Sequence, residues 1–330
     1  MEEHYILANN ALKEKDYNTF IANIVVCAQN DYKDSRDIYC KYYNNIKCDI
    51  DFIKLLDQEN EYVQHILSVL YYHMDNFDKT REYLEKSINK ECPVAFAEFG
   101  FISDITNRHD VSMTYLQKSV DMGCLTGIIY LGMKYNMGIG VEINYEKAKE
   151  LFEKAVNRGS PRAMEHLGGM YINGKGVEIN YSKAIELFTK AVELKYPNAF
   201  NSLAIMYIFG IGTEIDYVKA KELLEEGCKL GCVDTNISLA VMYQKGYIGK
   251  DCKKSIELYT KVLKQKPNNP NALNNLRISL NEKEMFHALV QQLVEYETKI
   301  TMLKNQHKNL ENKYKKLKEE ISLIPSYGSN

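Results

Sequence analysis

Apolar residues recur along this chain at the three- and four-residue spacing of helix faces, and the pattern repeats every 36 residues. The stretch from Thr126 to Gly159 shows the unit most clearly. Leu131 and Tyr135 lie one helical turn apart in its first half, and its second half carries an apolar face made of Ala148, Leu151, Phe152 and Ala155. A fixed period in this range predicts a solenoid of stacked helix–loop–helix units, each with a face that it cannot bury alone.

Small and polar residues occupy fixed positions between the apolar ones. Gly132 follows the leucine without a side chain, so the second helix can approach closely. Gly138 and Gly140 end the first helix and permit positive φ in the turn, and Asn144 is a good N-cap for the second helix. The next two units have corresponding residues at each of these positions. Gly168 and Ala204 correspond to Gly132, Gly174 and Gly210 to Gly138, Gly176 and Gly212 to Gly140, and Asn180 and Asp216 to Asn144.

Three segments follow this plan: LGMKYNMGIGVEINYEKAKELFEKAVNRG, LGGMYINGKGVEINYSKAIELFTKAVELK and LAIMYIFGIGTEIDYVKAKELLEEGCKLG. They resemble the Sel-one-like repeat family, a relative of the tetratricopeptide repeat. Leucine with glycine or alanine, tyrosine, glycine–x–glycine and lysine–alanine fall at the same offsets in each. The slot that often holds Trp in that family holds Phe152, Phe188 and Leu224 here. The resemblance implies an all-α solenoid that scaffolds protein complexes or binds peptides, without naming a partner.

The pattern also divides the chain. Outside the regular repeats, Phe99–Gly100 fills the leucine–glycine slot of a shorter unit that omits the glycine loop, and Asn269 and Pro270 can cap and begin a last helix. We therefore expect an N-terminal helical cap at residues 1–50, degenerate tetratricopeptide-like repeats at 51–124, Sel-one-like repeats at 125–268, a closing helix at 269–284, a coiled-coil helix at 285–324 and a disordered tail at 325–330.

Residues 286–324 carry an a/d heptad pattern. Its predicted seam consists of Leu289, Leu293, Tyr296, Ile300, Leu303, His307, Leu310, Tyr314, Leu317 and Ile321. A parallel dimer would set Lys299 against Lys304, whereas antiparallel helices would set Lys304 against Glu311. Each pair contributes only about 0.2–1 kcal/mol. Because the parallel arrangement sets like charges together and the antiparallel one sets opposite charges together, the sequence favours an antiparallel homo-oligomer, or a heteromer. The alternative is a helix that folds back and caps its own solenoid.

Composition excludes several classes of function. A formal net charge of −2 argues against a nucleic-acid-binding protein. The sequence contains no run of 18 apolar residues, so we expect no membrane span. The first residues do not resemble a signal peptide. These features favour a cytoplasmic protein over a membrane-anchored quality-control adaptor of the same family.

The eight cysteines fit a reducing compartment. Cys92, Cys124 and Cys232 share a slot at the end of second helices, and equivalent slots in neighbouring repeats lie about 10 Å apart, too far for a disulfide. Cys228 and Cys232 could supply two metal ligands, but nothing nearby supplies the other two. We expect reduced thiols and no metal site.

One segment imitates a nucleotide site. Residues 169–176 read GMYINGKG, which nearly spells a P-loop, but Gly176 stands where Ser or Thr would hold Mg²⁺ and the segment follows a helix instead of a strand. The repeat period already accounts for its glycines. His166 is expected at the surface, and no HExxH, nucleophile elbow or redox CxxC motif is present. We therefore expect no cofactor, no catalytic residue and no enzymatic activity.

The resemblance implies that first helices line a concave groove. Positions two before, two after and five after the leucine slot should point into it; Asp104 is one of them. The residues predicted to contact a partner are Phe101, Met133, Asn136, Glu165, Ile172, Asn201, Ile205, Ile208, Val241 and Gln244. This mostly apolar set predicts a scaffold or adaptor that binds an apolar or amphipathic protein segment. A regulatory or activating subunit of an enzyme, or a small-molecule-binding enzyme of the same family, is the alternative.

Overall fold

The computed structural model describes residues 60–73, 77–280, 295–306 and 308–309, together with 7–8, 10–11 and 23. Within these residues the chain is all-α, as predicted. The helices are α1 Glu61–His73, α2 Phe77–Asn89, α3 Pro93–Ile105, α4 His109–Asp121, α5 Leu125–Met137, α6 Tyr145–Asn157, α7 Pro161–Asn173, α8 Tyr181–Glu193, α9 Pro197–Phe209, α10 Tyr217–Lys229, α11 Val233–Lys245, α12 Cys252–Gln265 and α13 Pro270–Leu280. Residues 295–306 are also helical.

The chain forms two compact units, Met1–Ala199 and Phe200–Asn330. In the first unit, α1 packs on α2, α3 on α4, α5 on α6 and α7 on α8, and α4 and α6 also contact the first helix of the next hairpin. In the second unit, α11 contacts α10, α12 and α13. Each unit is therefore a succession of hairpins in which a helix packs mainly on its neighbours in sequence, the arrangement typical of helical repeats.

The predicted caps are present. Gly138 adopts the left-handed conformation at the end of α5, and the side chain of Asn144 accepts a hydrogen bond from the Lys147 amide at the start of α6. Asp216 caps α10 in the same way, and Asn269 caps α13 through the Ala272 amide. These caps satisfy backbone N–H groups that helix starts leave unpaired.

Close approach of the two helices in a hairpin depends on the small residue after the leucine. A Cβ atom at Gly132 would lie 2.8 Å from the Phe152 ring, and one at Gly168 would lie 2.5 Å from the Phe188 ring. In the second unit, where Ala204 replaces glycine, the smaller Leu224 stands in the aromatic slot, and both are fully buried in one cluster. The pairs glycine–phenylalanine and alanine–leucine therefore fill the same space.

The lysine of the lysine–alanine motif also has a structural partner. In each repeat its ammonium lies over the ring of the tyrosine. The distances from Nζ to the ring centroid are 5.1 Å for Lys147 and Tyr135, 4.6 Å for Lys183 and Tyr171, 4.5 Å for Lys219 and Tyr207, and 5.1 Å for Lys254 and Tyr243. These cation–π contacts join the two helices of each hairpin. A hydrogen bond to the Tyr171 hydroxyl raises the pKa of Lys183, and Tyr207 has the same effect on the pKa of Lys219.

Candidate functional site

A pocket of about 170 Å³ lies in the first unit between the first helices of two successive hairpins, α3 and α5. Most of the side chains that line it are apolar, and Asp104 and Lys134 are the charged ones. The rings of Phe101 and Tyr130 stack with centroids 4.8 Å apart at an angle of 20°, and Tyr130 is held in place because its hydroxyl donates a hydrogen bond to Glu98. The lining is completed by Asp104, Ile105, Leu116, Met133, Lys134 and Ile139. Ile105 is 66% exposed and marks an edge that faces solvent.

A buried ion pair forms one wall of this pocket. The Lys134 ammonium donates to Asp104 Oδ1 at 2.5 Å and to Ser112 Oγ at 3.3 Å. His109 Nδ1 lies 3.0 Å from the same carboxylate oxygen. The side chains of Lys134 and Asp104 are only 1% and 10% exposed. A lysine this deeply buried is rare unless it is paired, so this ion pair is the feature that most distinguishes the site from its neighbours.

The sequence did not predict this ion pair, although it carried a signal. Lys134 stands three residues after the leucine slot, where the later repeats have Met170, Met206 and Met242, all buried. A charge in an otherwise apolar slot requires a compensating partner. That partner, Asp104, lies in the preceding degenerate repeat, which is shorter than the regular ones.

The pocket brings together residues that the sequence placed in the groove. Phe101, Asp104 and Met133 all line it. Asn136 lies one turn beyond Met133, and its side-chain oxygen is buried without a hydrogen-bond partner in the described part of the chain. Further along the first unit, Glu165 and Ile172 are half-buried but do not line the pocket.

In the second unit several predicted groove residues serve packing. Ile208 is buried in a core cluster, and Val241 packs against another. Asn201 accepts a hydrogen bond from Ser238 at 2.7 Å. The Gln244 amide accepts from the Tyr259 hydroxyl at 3.0 Å and donates to the Asn275 carbonyl at 3.3 Å. Ile205 is half-buried. The groove assignment in the second unit stays a prediction, and the observations that agree with a groove come from the first unit.

The residues around Gln244 are closely packed. Tyr259 is fully buried, and burial raises its pKa to about 12. Gln244 thereby links α11 to both α12 and α13, and its side chain holds the last hairpin together.

The predicted heptad seam is described only in part. Tyr296, Ile300 and Leu303 are half-buried, while the other described residues of this helix are exposed. Tyr296 packs against the core cluster of α11, α12 and α13, and Arg277 lies 3.7 Å from Glu297. Leu289, Leu293, His307, Leu310, Tyr314, Leu317 and Ile321 lie outside the described residues. The described contacts favour the folded-back helix, and self-association through the seam stays a prediction.

The segment that imitates a P-loop has a structural role. Gly174 is the left-handed C-cap of α7. Gly176 has φ +66°, and a Cβ atom there would lie 2.6 Å from the Cβ of Tyr145 in the preceding repeat. Both glycines therefore serve the turn and its contact with the neighbouring hairpin. The expectation that His166 lies at the surface was wrong: it is half-buried and stacks on Phe152, with ring centroids 5.2 Å apart.

Other candidate sites are inert in the described residues. No disulfide joins the described cysteines, which are Cys92, Cys124, Cys228, Cys232 and Cys252, and burial raises the pKa of Cys92 and of Cys228. No group of three or more metal-ligating side chains occurs in the part of the chain that the structure describes. No helix in that part is both long enough and apolar enough to cross a membrane.

The family model of the Sel1 repeat matches four consecutive segments, residues 127–160, 161–196, 199–232 and 235–265. This chain contains four Sel1 repeats. The prediction made from the 36-residue period is thereby confirmed, and the four matches lie within the span where the regular repeats were expected. No curated protein matches this sequence.

Solved structures share the fold of this chain. A Sel1 repeat protein from Oxalobacter formigenes is 19% identical over 68% of this chain and 92% of that chain, with a TM-score of 0.56. Human IFIT1, solved as a dimer with m7Gppp-AAAA, is 19% identical over 76% of this chain, with a TM-score of 0.53. The Cut9–Hcn1 hetero-tetramer of APC/C is 17% identical over 83%, with a TM-score of 0.51. The match spans only 61% of the IFIT1 chain and 52% of the APC/C chain. These likenesses show the fold alone.

Proposed function

We propose that this chain is a non-enzymatic interaction protein that binds an apolar or amphipathic segment of a partner protein, with the pocket of the first unit as its anchor point. Repeat folds of this kind generally mediate protein–protein interaction. The observation that carries the proposal is the meeting of Phe101, Asp104 and Met133, three residues from predicted groove slots, around one cavity of about 170 Å³.

The chemistry of the pocket fits a protein ligand. Apolar walls favour a side chain that loses contact with water on binding. A partner segment that crosses this face can fill the cavity with one side chain.

The polar cluster beside the pocket supports a structural role over a catalytic one. The Lys134 side chain donates a hydrogen bond to Asp104, and the Ser112 hydroxyl accepts a second one from it. His109 is directed at the same carboxylate. A nucleophile or general base needs a group that is free to react, whereas the groups of this cluster are engaged with one another. The alternative of an enzyme of the same repeat family is therefore not favoured.

The test is a selection of amphipathic helical peptides against the full chain, followed by affinity measurements on soluble peptides by fluorescence anisotropy. Met133→Glu places a charge at the pocket wall and should weaken binding by at least roughly tenfold. Met302→Glu is a matched control, because Met302 is 65% exposed on the C-terminal helix. Ile205→Glu tests the predicted groove position of the second unit separately.

Circular dichroism should show unchanged helix content in all three variants, so that lost binding reports the site. If no peptide is selected, or if selected peptides bind Met133→Glu as tightly as the unmodified chain, the proposal is wrong.

A further inference from the structure

The second helix of the fourth Sel1 repeat, α12, differs in charge from the second helices of the three repeats before it. The helices α6, α8 and α10 each carry as many glutamates as lysines, so the net charge of each is zero. The helix α12 carries four lysines and one glutamate, a net charge of +3. Because the earlier repeats build the same hairpin without this excess of positive charge, packing of the repeat does not require it.

Two of these lysines lie beside a surface cavity of about 380 Å³ in the second unit. This volume is more than twice that of an apolar cavity of about 150 Å³ that holds benzene in another protein, so there is room for more than one side chain. The described lining follows the three- and four-residue spacing of a single helix face. It consists of Ile256, Glu257, Thr260, Lys261 and Lys264.

The first of these lysines has lost an ion pair that an earlier repeat forms. The position seven residues after the motif lysine holds Lys190 in α8 and Lys261 in α12. Lys190 Nζ lies 2.6 Å from Glu186 Oε1. The chain has the same arrangement of charges in α12, with Glu257 four residues before Lys261, yet no ion pair joins them. In the part of the chain that the structure describes, Lys261 has no acidic partner.

The second lysine shows a related change. The position ten residues after the motif lysine holds Lys229 in α10 and Lys264 in α12. Lys229 Nζ lies 2.5 Å from Glu226 Oε1, but α12 has Lys261 where α10 has that glutamate. Two positive charges therefore stand three residues apart on one helix face, and such a pair destabilises a helix by about 0.2–0.5 kcal/mol. Carboxylates from another molecule relieve this repulsion.

The lining favours an acidic protein segment over a nucleic acid. Exposed ammonium groups at Lys261 and Lys264 can each pair with a carboxylate, and Ile256 adds an apolar contact for a neighbouring side chain. Proteins that bind single-stranded nucleic acids combine a positively charged groove with aromatic side chains on which bases stack. The described lining of this cavity has no aromatic side chain, and Glu257 interrupts its positive charge.

We propose that this face of α12 docks an acidic segment of a partner protein, whose carboxylates pair with Lys261 and Lys264. None of its residues lines the pocket of the first unit. The inference therefore adds a second interaction surface to the proposed function and does not depend on it.

The probe is a fluorescent peptide in which Glu-Glu-Leu is repeated four times, measured by anisotropy against the full chain. The same peptide with Gln in place of Glu is the neutral control. We expect the neutral peptide to bind at least roughly tenfold more weakly than the acidic one. The affinity of the acidic peptide should fall as the salt concentration rises, because salt screens exposed charges.

Two substitutions at exposed positions of α12 should have opposite effects on this binding. Lys261→Glu restores the residue type that α10 has there and should weaken binding roughly tenfold, because an attraction becomes a repulsion. Glu257→Gln removes the negative charge of the face and should tighten binding roughly two- to threefold. Lys190→Glu is the matched control, since it makes the same change of charge at the corresponding exposed position of α8. Binding to this control should stay within about twofold of binding to the unmodified chain.

Several results would overturn the acidic-segment site. These are failure of the acidic peptide to bind, and equal loss of affinity in Lys261→Glu and Lys190→Glu. Tighter binding of an oligodeoxythymidine, or of vesicles that contain phosphatidylserine, would also overturn it, because the surface would then recognise phosphate groups. Met133→Glu should leave the acidic peptide's affinity unchanged, so the outcome for this surface is read separately from the outcome for the pocket of the first unit.

Discussion

At the scale of single residues, the buried ion pair of Lys134 and Asp104 carries a desolvation cost. Removal of two charges from water carries a penalty of several kcal/mol per ion, and mutual attraction offsets it only when both partners are present. The later repeats avoid the penalty with methionine in the lysine slot, and Ile172 or Ile208 in the slot of Asp104. Retention of a charged pair at one repeat fits a role for Asp104 at the pocket.

A comparison of a single and a double variant tests this account. Asp104→Ala alone leaves a buried ammonium without its counter-charge and should lower the free energy of unfolding by about 3–5 kcal/mol. The double variant Asp104→Ala with Lys134→Met should lie within about 1.5 kcal/mol of the unmodified chain. Urea unfolding followed by circular dichroism measures both. Equal destabilisation by the single and the double variant would show that the two charges do not depend on each other.

A second residue-level prediction concerns the glycine–x–glycine turns. Gly140 has φ +63°, and a Cβ atom there would lie 2.2 Å from the His109 ring in the preceding hairpin. Gly140→Ala should therefore lower the free energy of unfolding by about 1–3 kcal/mol. Gly169 is the matched control, since it lies in α7 with nothing within 4 Å of a built Cβ atom. Gly169→Ala should be neutral or stabilise by up to about 1 kcal/mol. Thermal unfolding that ranks the two variants in the opposite order would contradict this role of the turn.

At the scale of elements, regular features could be predicted from the sequence because each repeats at a fixed offset. The Asn144 cap and the approach of Phe152 to Gly132 follow from local propensity and residue size alone. The pairing of Lys134 with Asp104 could not be predicted with the same ease, since it joins two repeats of different length. His166 was misplaced for a similar reason: its burial depends on the ring of Phe152 in the neighbouring hairpin, which the pattern along its own helix does not show.

The C-terminal helix is the element for which the sequence left two arrangements open, pairing between chains and a helix that folds back on its own solenoid. The heptad pattern predicts pairing between chains, whereas Tyr296 packs on the core of α11, α12 and α13 in the same chain. Burial also raises the pKa of Tyr296. At Tyr296 the predicted seam therefore contacts its own chain.

The substitution Tyr296→Ala distinguishes a helix that folds back on its own chain from one that pairs with a second chain. If the helix folds back, the substitution should lower the free energy of unfolding by about 1–3 kcal/mol and leave the molar mass in light scattering unchanged. Met302→Ala, at a 65% exposed position on the same helix, should change stability by less than about 0.5 kcal/mol. A Tyr296→Ala chain that keeps its stability but loses a dimer would instead support the antiparallel coiled coil.

At the scale of the whole molecule, the described residues that recur in each repeat serve packing. The glycines and the lysine–tyrosine contacts hold hairpins together, and Gln244 ties the last helices to one another. The pocket of the first unit differs, because it brings Phe101, Asp104 and Met133, from predicted groove positions, around one cavity. The repeat pattern could predict which helix faces carry these residues. The existence of a cavity depends on the shapes of side chains from two unlike repeats, which no periodicity encodes.

The most direct test of the account is methionine methyl NMR on the full chain with a selected amphipathic peptide. The chain has 12 methionines, and Met133→Leu assigns the resonance of Met133. The account predicts that the Met133 signal shifts and saturates at the peptide's dissociation constant. The signals of the exposed Met122 and Met302 should stay in place. A peptide that binds by anisotropy and moves other methionines while Met133 remains unchanged would contradict the central claim.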